Sequence, residues 1–136
     1  MSRPDSRILE ANAGPGVLTE IARVLDETWL AHPEVPEAIR MQVNIAAGEI
    51  GANIVEHAAR GRPVPIRMEV NVLVHEVEVT FTDGGVSAAI DLGSVSFPDE
   101  LAERGRGLPL SKAALAELSY RRDSANHWRL VSKRFG

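Results

Sequence analysis

Two periods alternate along this chain. Val17, Leu18, Ile21, Val24, Leu25 and Thr28 recur at helical spacing and predict a first helix ending near Trp29. Gly14-Pro15-Gly16 stands before it, where proline suits a helix's first turn. The segment Ser6 to Asn12 ahead of that break reads as a short edge strand. After the interruption at His32-Pro33-Glu34-Val35-Pro36, a longer helix is predicted from Pro36 to about Ala59. Its apolar stripe is Ile39, Val43, Ala46, Ile50 and Ile54, and Gly61 and Pro63 oppose its continuation.

The period then shortens to two. Ile66, Met68, Val70, Val72 and Val74 share one face, with Arg67, Glu69 and Asn71 on the other. His75-Glu76 is the expected turn, after which Val77, Val79 and Phe81 face inward and Glu78, Thr80 and Thr82 outward. This is the pattern of an antiparallel hairpin with one buried face, closed by Asp83-Gly84-Gly85. No period is sustained from Ala88 to Gly107, and so long a loop in a compact domain usually has a function. A third helix is expected from about Leu108 to Leu118, and Tyr120 to Phe135 reads as one or two final strands. The order favours an α+β two-layer sandwich, a mostly antiparallel sheet with helices on one face.

Composition narrows the class. The 136 residues suit a single domain, 1–136, and the 44% hydrophobic content supports a packed core. The formal net charge of −4 gives no overall basic balance of the kind a nucleic-acid binder carries. The sequence has no cysteine, which excludes disulfides and thiolate metal sites and fits a reducing cytoplasm. No apolar run approaches the length of a membrane span, so a cytoplasmic protein is expected.

Three short clusters carry candidate chemistry. Glu49 and Asn53 are four residues apart on the second helix, at the border of its apolar stripe. Asp83 continues the inward register of Val77, Val79 and Phe81. An inward carboxylate must be compensated, either by the backbone of the following glycines or by a ligand's hydrogen-bond donor. Arg104-Gly105-Arg106-Gly107-Leu108 precedes the third helix, where glycines permit close approach and a helix N-terminus attracts phosphate. Each cluster alone is common: a polar helix edge, a turn aspartate, a loop-to-helix glycine pair. His57 falls at the centre of the apolar stripe and reads as a packed structural histidine.

Taken in order, the segments GEIGANIVEHA, FTDGGVS and ERGRGLPLS resemble the N, G1 and G2 boxes of the GHKL ATPase/kinase superfamily. Within it the chain looks most like the RsbW-type anti-sigma serine/threonine kinases. The sequence departs from the superfamily pattern in carrying Ser87 at the fifth position of the Asp-x-Gly-x-Gly motif. It also carries Asn126-His127-Trp128 where many members have Gly-Thr. The resemblance implies that Asn53 holds the magnesium bridging ATP's phosphates and that Glu49 activates the attacking hydroxyl or polarises a magnesium-bound water. It implies that Asp83 accepts a hydrogen bond from the adenine amino group and that Gly85 leaves room for the base. Gly105, Gly107 and Leu108 would form the phosphate-contacting end of a lid, with Arg104 or Arg106 touching phosphate.

The same resemblance implies partners. A bare domain would act on other proteins: a sigma factor that it sequesters and a STAS-domain anti-anti-sigma factor that it phosphorylates. A homodimer is expected, with no direct nucleic-acid or membrane contact. The alternative is a non-catalytic module acting by protein binding alone.

Overall fold

A computed structural model describes residues 6–58, 63–85 and 115–136, with residues 57 and 58 as backbone only. Among these the chain forms β1 (Ser6–Asn12), α1 (Val17–Ala31) and α2 (Glu37–Asn53), which a π-helical turn continues (Ile54–Ala58). It then forms β2 (Pro65–Val72), β3 (Val77–Asp83), β4 (Glu117–Arg122) and β5 (Asn126–Val131). The strands make one sheet in the order β1-β2-β3-β5-β4, antiparallel throughout. Both helices pack on one face of it, giving the α+β sandwich that the sequence predicts.

The core lies between these layers. Val43, Ala46, Ile50 and Ile54 of the second helical segment are fully buried, as are Met68, Val70, Val77, Val79 and Leu130 of the sheet. Each large aliphatic side chain so buried stabilises the fold by roughly 1.5–3 kcal/mol. α1 and α2 approach closely at Gly51, where a Cβ would stand 2.7 Å from Ile21 Cδ1. Trp29 Nε1 donates to Asn44 Oδ1 across the same helix pair at 2.9 Å. The opposite face of the sheet is polar: Arg129 joins Glu78 and Glu117, and Asn71 donates to Glu78 at 3.2 Å.

Three boundaries differ from the expectation. The long second helix changes to π-helical geometry after Asn53 rather than running on as one α-helix. Val74, assigned to the buried face, is 80% exposed. β2 ends at Val72, and Leu73 N–H closes the turn on the Glu76 carbonyl at 2.8 Å, leaving Val74 at the hairpin tip. The third helix cannot reach Leu118, because Glu117 and Leu118 belong to β4. There Leu118 and Tyr120 alternate with Glu117, Ser119 and Arg121, a period of two that pairs with β5. Residues 108–114 of that expected helix lie outside the described residues.

Candidate functional site

Strand register builds the first part of the site. On the inner face Ala11 stands opposite Ile66, Ile66 opposite Asp83, Asp83 opposite Asn126, and Asn126 opposite Arg122. This row crosses all five strands and turns polar at its third member. The preceding row is Leu9, Met68, Phe81, Trp128 and Tyr120, an apolar floor. Trp128 and Tyr120 are in ring contact, with centroids 4.7 Å apart. The polar row therefore sits at the end of the sheet, on the helix side, against aromatic packing.

Asp83 is 1% exposed. Its Oδ1 accepts from the Gly85 backbone N–H at 2.9 Å and from Asn126 Nδ2 at 2.9 Å. Its Oδ2 is buried and has no hydrogen-bond partner. Of the two compensations the sequence left open, the glycine backbone supplies the one observed, at Oδ1; Oδ2 is left a buried acceptor without a partner. An unpaired buried acceptor costs about 1–3 kcal/mol, so a ligand donor there would recover a penalty already present in the fold.

Around Asp83 the network continues. Asn126 Oδ1 accepts from Tyr120 Oη at 2.6 Å and from Arg122 Nη1 at 2.8 Å. Arg122 Nη1 also donates to the Gly85 carbonyl at 2.9 Å, and Asn126 Nδ2 reaches the same carbonyl at 3.3 Å. Sequence reasoning missed Tyr120, Arg122 and the role of Asn126. The signal lay in the alternation of the last two strands, which puts residues 120, 122, 126 and 128 on the same face as Asp83.

The second part is the end of α2. Glu49 and Asn53 are both half-buried, one turn apart, at the edge of the buried stripe as their spacing predicts. The Glu49 carboxylate has no side-chain partner among the described residues. Asn53 is the last α-helical residue, and its Nδ2 is buried without a partner. The π-helical turn begins at the next residue, and such turns are frequent at functional sites. α2 packs against β5, whose first residue is Asn126. Residues 59–64 alone connect the π-helical turn to β2, which begins beside Asp83's register partner Ile66. Glu49 and Asn53 thus border the core from the helix layer, and Asp83 lies on the inner face of the sheet.

The donor set bears on a metal. Among the described residues no three carboxylate, histidine or cysteine side chains gather into a site. Glu49 and Asn53 offer one carboxylate and one amide oxygen, both hard donors. Magnesium keeps water and is commonly held by one or two protein oxygens plus the phosphates of its substrate. The Asn53 amide oxygen, with the Glu49 carboxylate one turn away, fits an ion delivered with a nucleotide, not a protein-only cage. Gly85 is buried beside Asp83. Arg104, Gly105, Arg106, Gly107 and Leu108 lie outside the described residues, as does the His57 side chain.

A family model described as the histidine kinase-like ATPase domain matches residues 11–131. No curated protein matches the chain. Among solved structures it is similar to the histidine kinase domain from Erythrobacter litoralis EL346 blue-light activated histidine kinase. The TM-score is 0.58 at 14% identity, over 85% of this chain and 60% of that one. At that identity the likeness speaks for the fold, and this chain corresponds to about three-fifths of the longer protein. No helix among the described residues is long and apolar enough to cross a membrane.

Proposed function

The chain belongs to the histidine kinase-like ATPase family, and from that premise we propose that it binds Mg-ATP and transfers the γ-phosphoryl group to a serine or threonine of a partner protein. The observation that carries the reading is Asp83, a buried carboxylate fixed through one oxygen with the other open. An open acceptor held by strand register suits the exocyclic amine of adenine. The partner chemistry follows the RsbW-type resemblance: a STAS-domain anti-anti-sigma factor receives the phosphoryl group, and a sigma factor is sequestered.

In this reading the chain's residues divide the work. Asp83 accepts the base's amino hydrogen and orients the nucleotide. Glu49 accepts the proton of the attacking hydroxyl, the step general bases commonly accelerate by about 10²–10⁴-fold. Asn53 directs its amide oxygen to the ion. Magnesium bound with the phosphates supplies neutralisation of the charge that develops during transfer. Gly105 and Gly107, with Arg104, Arg106 and Leu108, are assigned to the phosphate-facing segment on sequence grounds.

The test is incubation of the purified protein with labelled ATP, magnesium and a STAS-domain protein from the same genome. Label appearing on a serine or threonine of that protein is the expected result. ATP binding without transfer would instead reduce the function to nucleotide-dependent protein sequestration.

A further inference from the structure

We propose that Tyr120, Arg122 and Asn126 are positioning residues that dictate how Asp83 presents its open oxygen, and thereby set the base selectivity of the candidate nucleotide site. The inference rests on the reading that this site takes ATP, and it adds the residues that make the site choose.

A primary amide has two ends of nearly equal size and opposite hydrogen-bonding character, and its orientation is settled by its neighbours. At Asn126 the neighbours leave no choice. Arg122 carries only donors, and its Nη1 lies 2.8 Å from Oδ1. Tyr120 Oη lies 2.6 Å from the same oxygen. The oxygen end therefore faces Arg122 and Tyr120, and the NH2 end faces Asp83 and the Gly85 carbonyl, at 2.9 and 3.3 Å. Asp83 Oδ1 thus takes a side-chain donor as well as the Gly85 N–H, and Oδ2 is left as the open acceptor.

Reversing the amide would turn its carbonyl oxygen against the Asp83 carboxylate. Acceptor would oppose acceptor in a buried setting where Asn126 is 0% and Asp83 1% exposed. Asp83 would then have to rotate away, and Oδ2 would no longer be held in the same place. With the brace intact, Oδ2 favours a purine bearing an amino group and disfavours one bearing a carbonyl at that place. The discrimination follows from buried polar groups left unpaired by the wrong ligand. Arg122 strengthens the arrangement from a second side, because it also holds the carbonyl of Gly85, whose N–H caps Asp83.

The experiment is calorimetric titration of the full chain with ATP and with GTP, both with magnesium, and the readout is the ratio of the two dissociation constants. The unaltered protein is expected to prefer ATP. The double variant Tyr120→Phe/Arg122→Met removes the two donors to Asn126 Oδ1 among the described residues while keeping Asn126 and Asp83. Its preference is expected to fall by about tenfold or more, the loss of one well-made buried hydrogen-bond arrangement. Either single variant should lose less, since one donor still fixes the amide. Arg122→Lys in the Tyr120→Phe background should restore most of the preference. A purely structural role would weaken both nucleotides together and leave the ratio unmoved, and that result in the double variant overturns the proposal. Should the double variant not fold, Asn126→Asp serves: it keeps the shape and the oxygen facing Arg122 but sets an oxygen against Asp83. An unchanged ratio there also overturns the proposal. If the unaltered protein gives no heat with ATP, the site assignment falls and this inference with it. If it prefers ATP and the variants keep that preference, only this inference falls.

Discussion

The two ends of the candidate site are built in opposite ways. At the base end, Asp83 sits in a strand, its position fixed by register with Ile66 and Asn126, and one of its oxygens already carries two hydrogen bonds. At the ion end, Asn53 sits where an α-helix gives way to a π-helical turn, and its amide nitrogen is buried without any partner. One end is organised before a ligand arrives. Each end keeps one buried polar atom without a partner, Asp83 Oδ2 and Asn53 Nδ2, but at the second the Asn53 side chain is not otherwise braced and the neighbouring carboxylate, Glu49, has no side-chain partner among the described residues. On the proposed reading, selection of the base is intrinsic to the folded chain, and assembly around the phosphates is completed by the ion and nucleotide.

If this division holds, changes at the ion end act on transfer and on the magnesium dependence of binding without cost to stability, and changes at the base end act on nucleotide affinity and on stability. The largest expected effect is Glu49→Gln. Phosphoryl transfer should fall by about 10²–10⁴-fold, while ATP binding measured by calorimetry stays near that of the unaltered protein. Normal transfer by this variant would remove Glu49 from the role of base.

Next comes Asp83→Ala, which strips the Gly85 N–H of its partner and leaves Asn126 Nδ2 only the Gly85 carbonyl at 3.3 Å. An abandoned buried donor costs about 1–3 kcal/mol, partly offset by removal of the unpaired Oδ2, so chemical denaturation should show a net loss of stability. ATP affinity should fall as well, by about 10–100-fold for loss of a hydrogen bond to a charged acceptor. Equal stability with and without the carboxylate would erase the contrast between the two ends.

Asn53→Leu should do the reverse. It replaces an unpaired buried amide nitrogen by a side chain of similar size, and such exchanges are nearly neutral or stabilising. Denaturation should show no loss, while the strengthening of ATP binding by magnesium disappears. A destabilised Asn53→Leu protein would mean that the amide serves the fold rather than a ligand.

The fold was largely legible because its signals are local and periodic. β1 spans the Ser6 to Asn12 segment read as an edge strand ahead of the Gly-Pro-Gly break, and α1 begins at the valine that opens the helical stripe. The failures are places where two periods overlap or where packing decides. Leu118 fits both a helical series from Leu108 and a strand series with Tyr120, and pairing with β5 settles it. The π-helical turn leaves no mark in a stripe that continues in register through Ile54. At the site, Glu49, Asn53 and Asp83 could be singled out because each sits at a definable place in its own element. The alternation of the last strands gives the face of Tyr120, Arg122 and Asn126, but not their meeting with Asp83, because that depends on which strand lies next to β3. The sheet order puts β5 there and β4 at the edge, and no residue-level pattern specifies that order.

The smallest expected effect lies just behind that brace, in the turn that joins β4 to β5. Asp123 Oδ1 accepts from the Ala125 N–H at 3.0 Å and meets His127 Nε2 at 2.9 Å, and Oδ2 accepts from Arg121 at 2.9 Å. The Ala125 N–H first, then His127 and Arg121, hold the Asp123 carboxyl well below the usual carboxylate range. A carboxyl depressed in the folded state contributes stability above the unfolded-state value and loses it as pH falls below about 4. Because this side chain is 53% exposed, solvent screens much of the interaction and the contribution is small. Asp123→Asn should therefore lower the denaturation midpoint slightly at neutral pH and flatten its decline between about pH 4 and pH 2. Since the turn leads directly into Asn126, a slight loss of ATP preference over GTP should accompany it. Parallel acid limbs for the two proteins would show that the turn takes no stability from this carboxylate, and would detach it from the base end of the site.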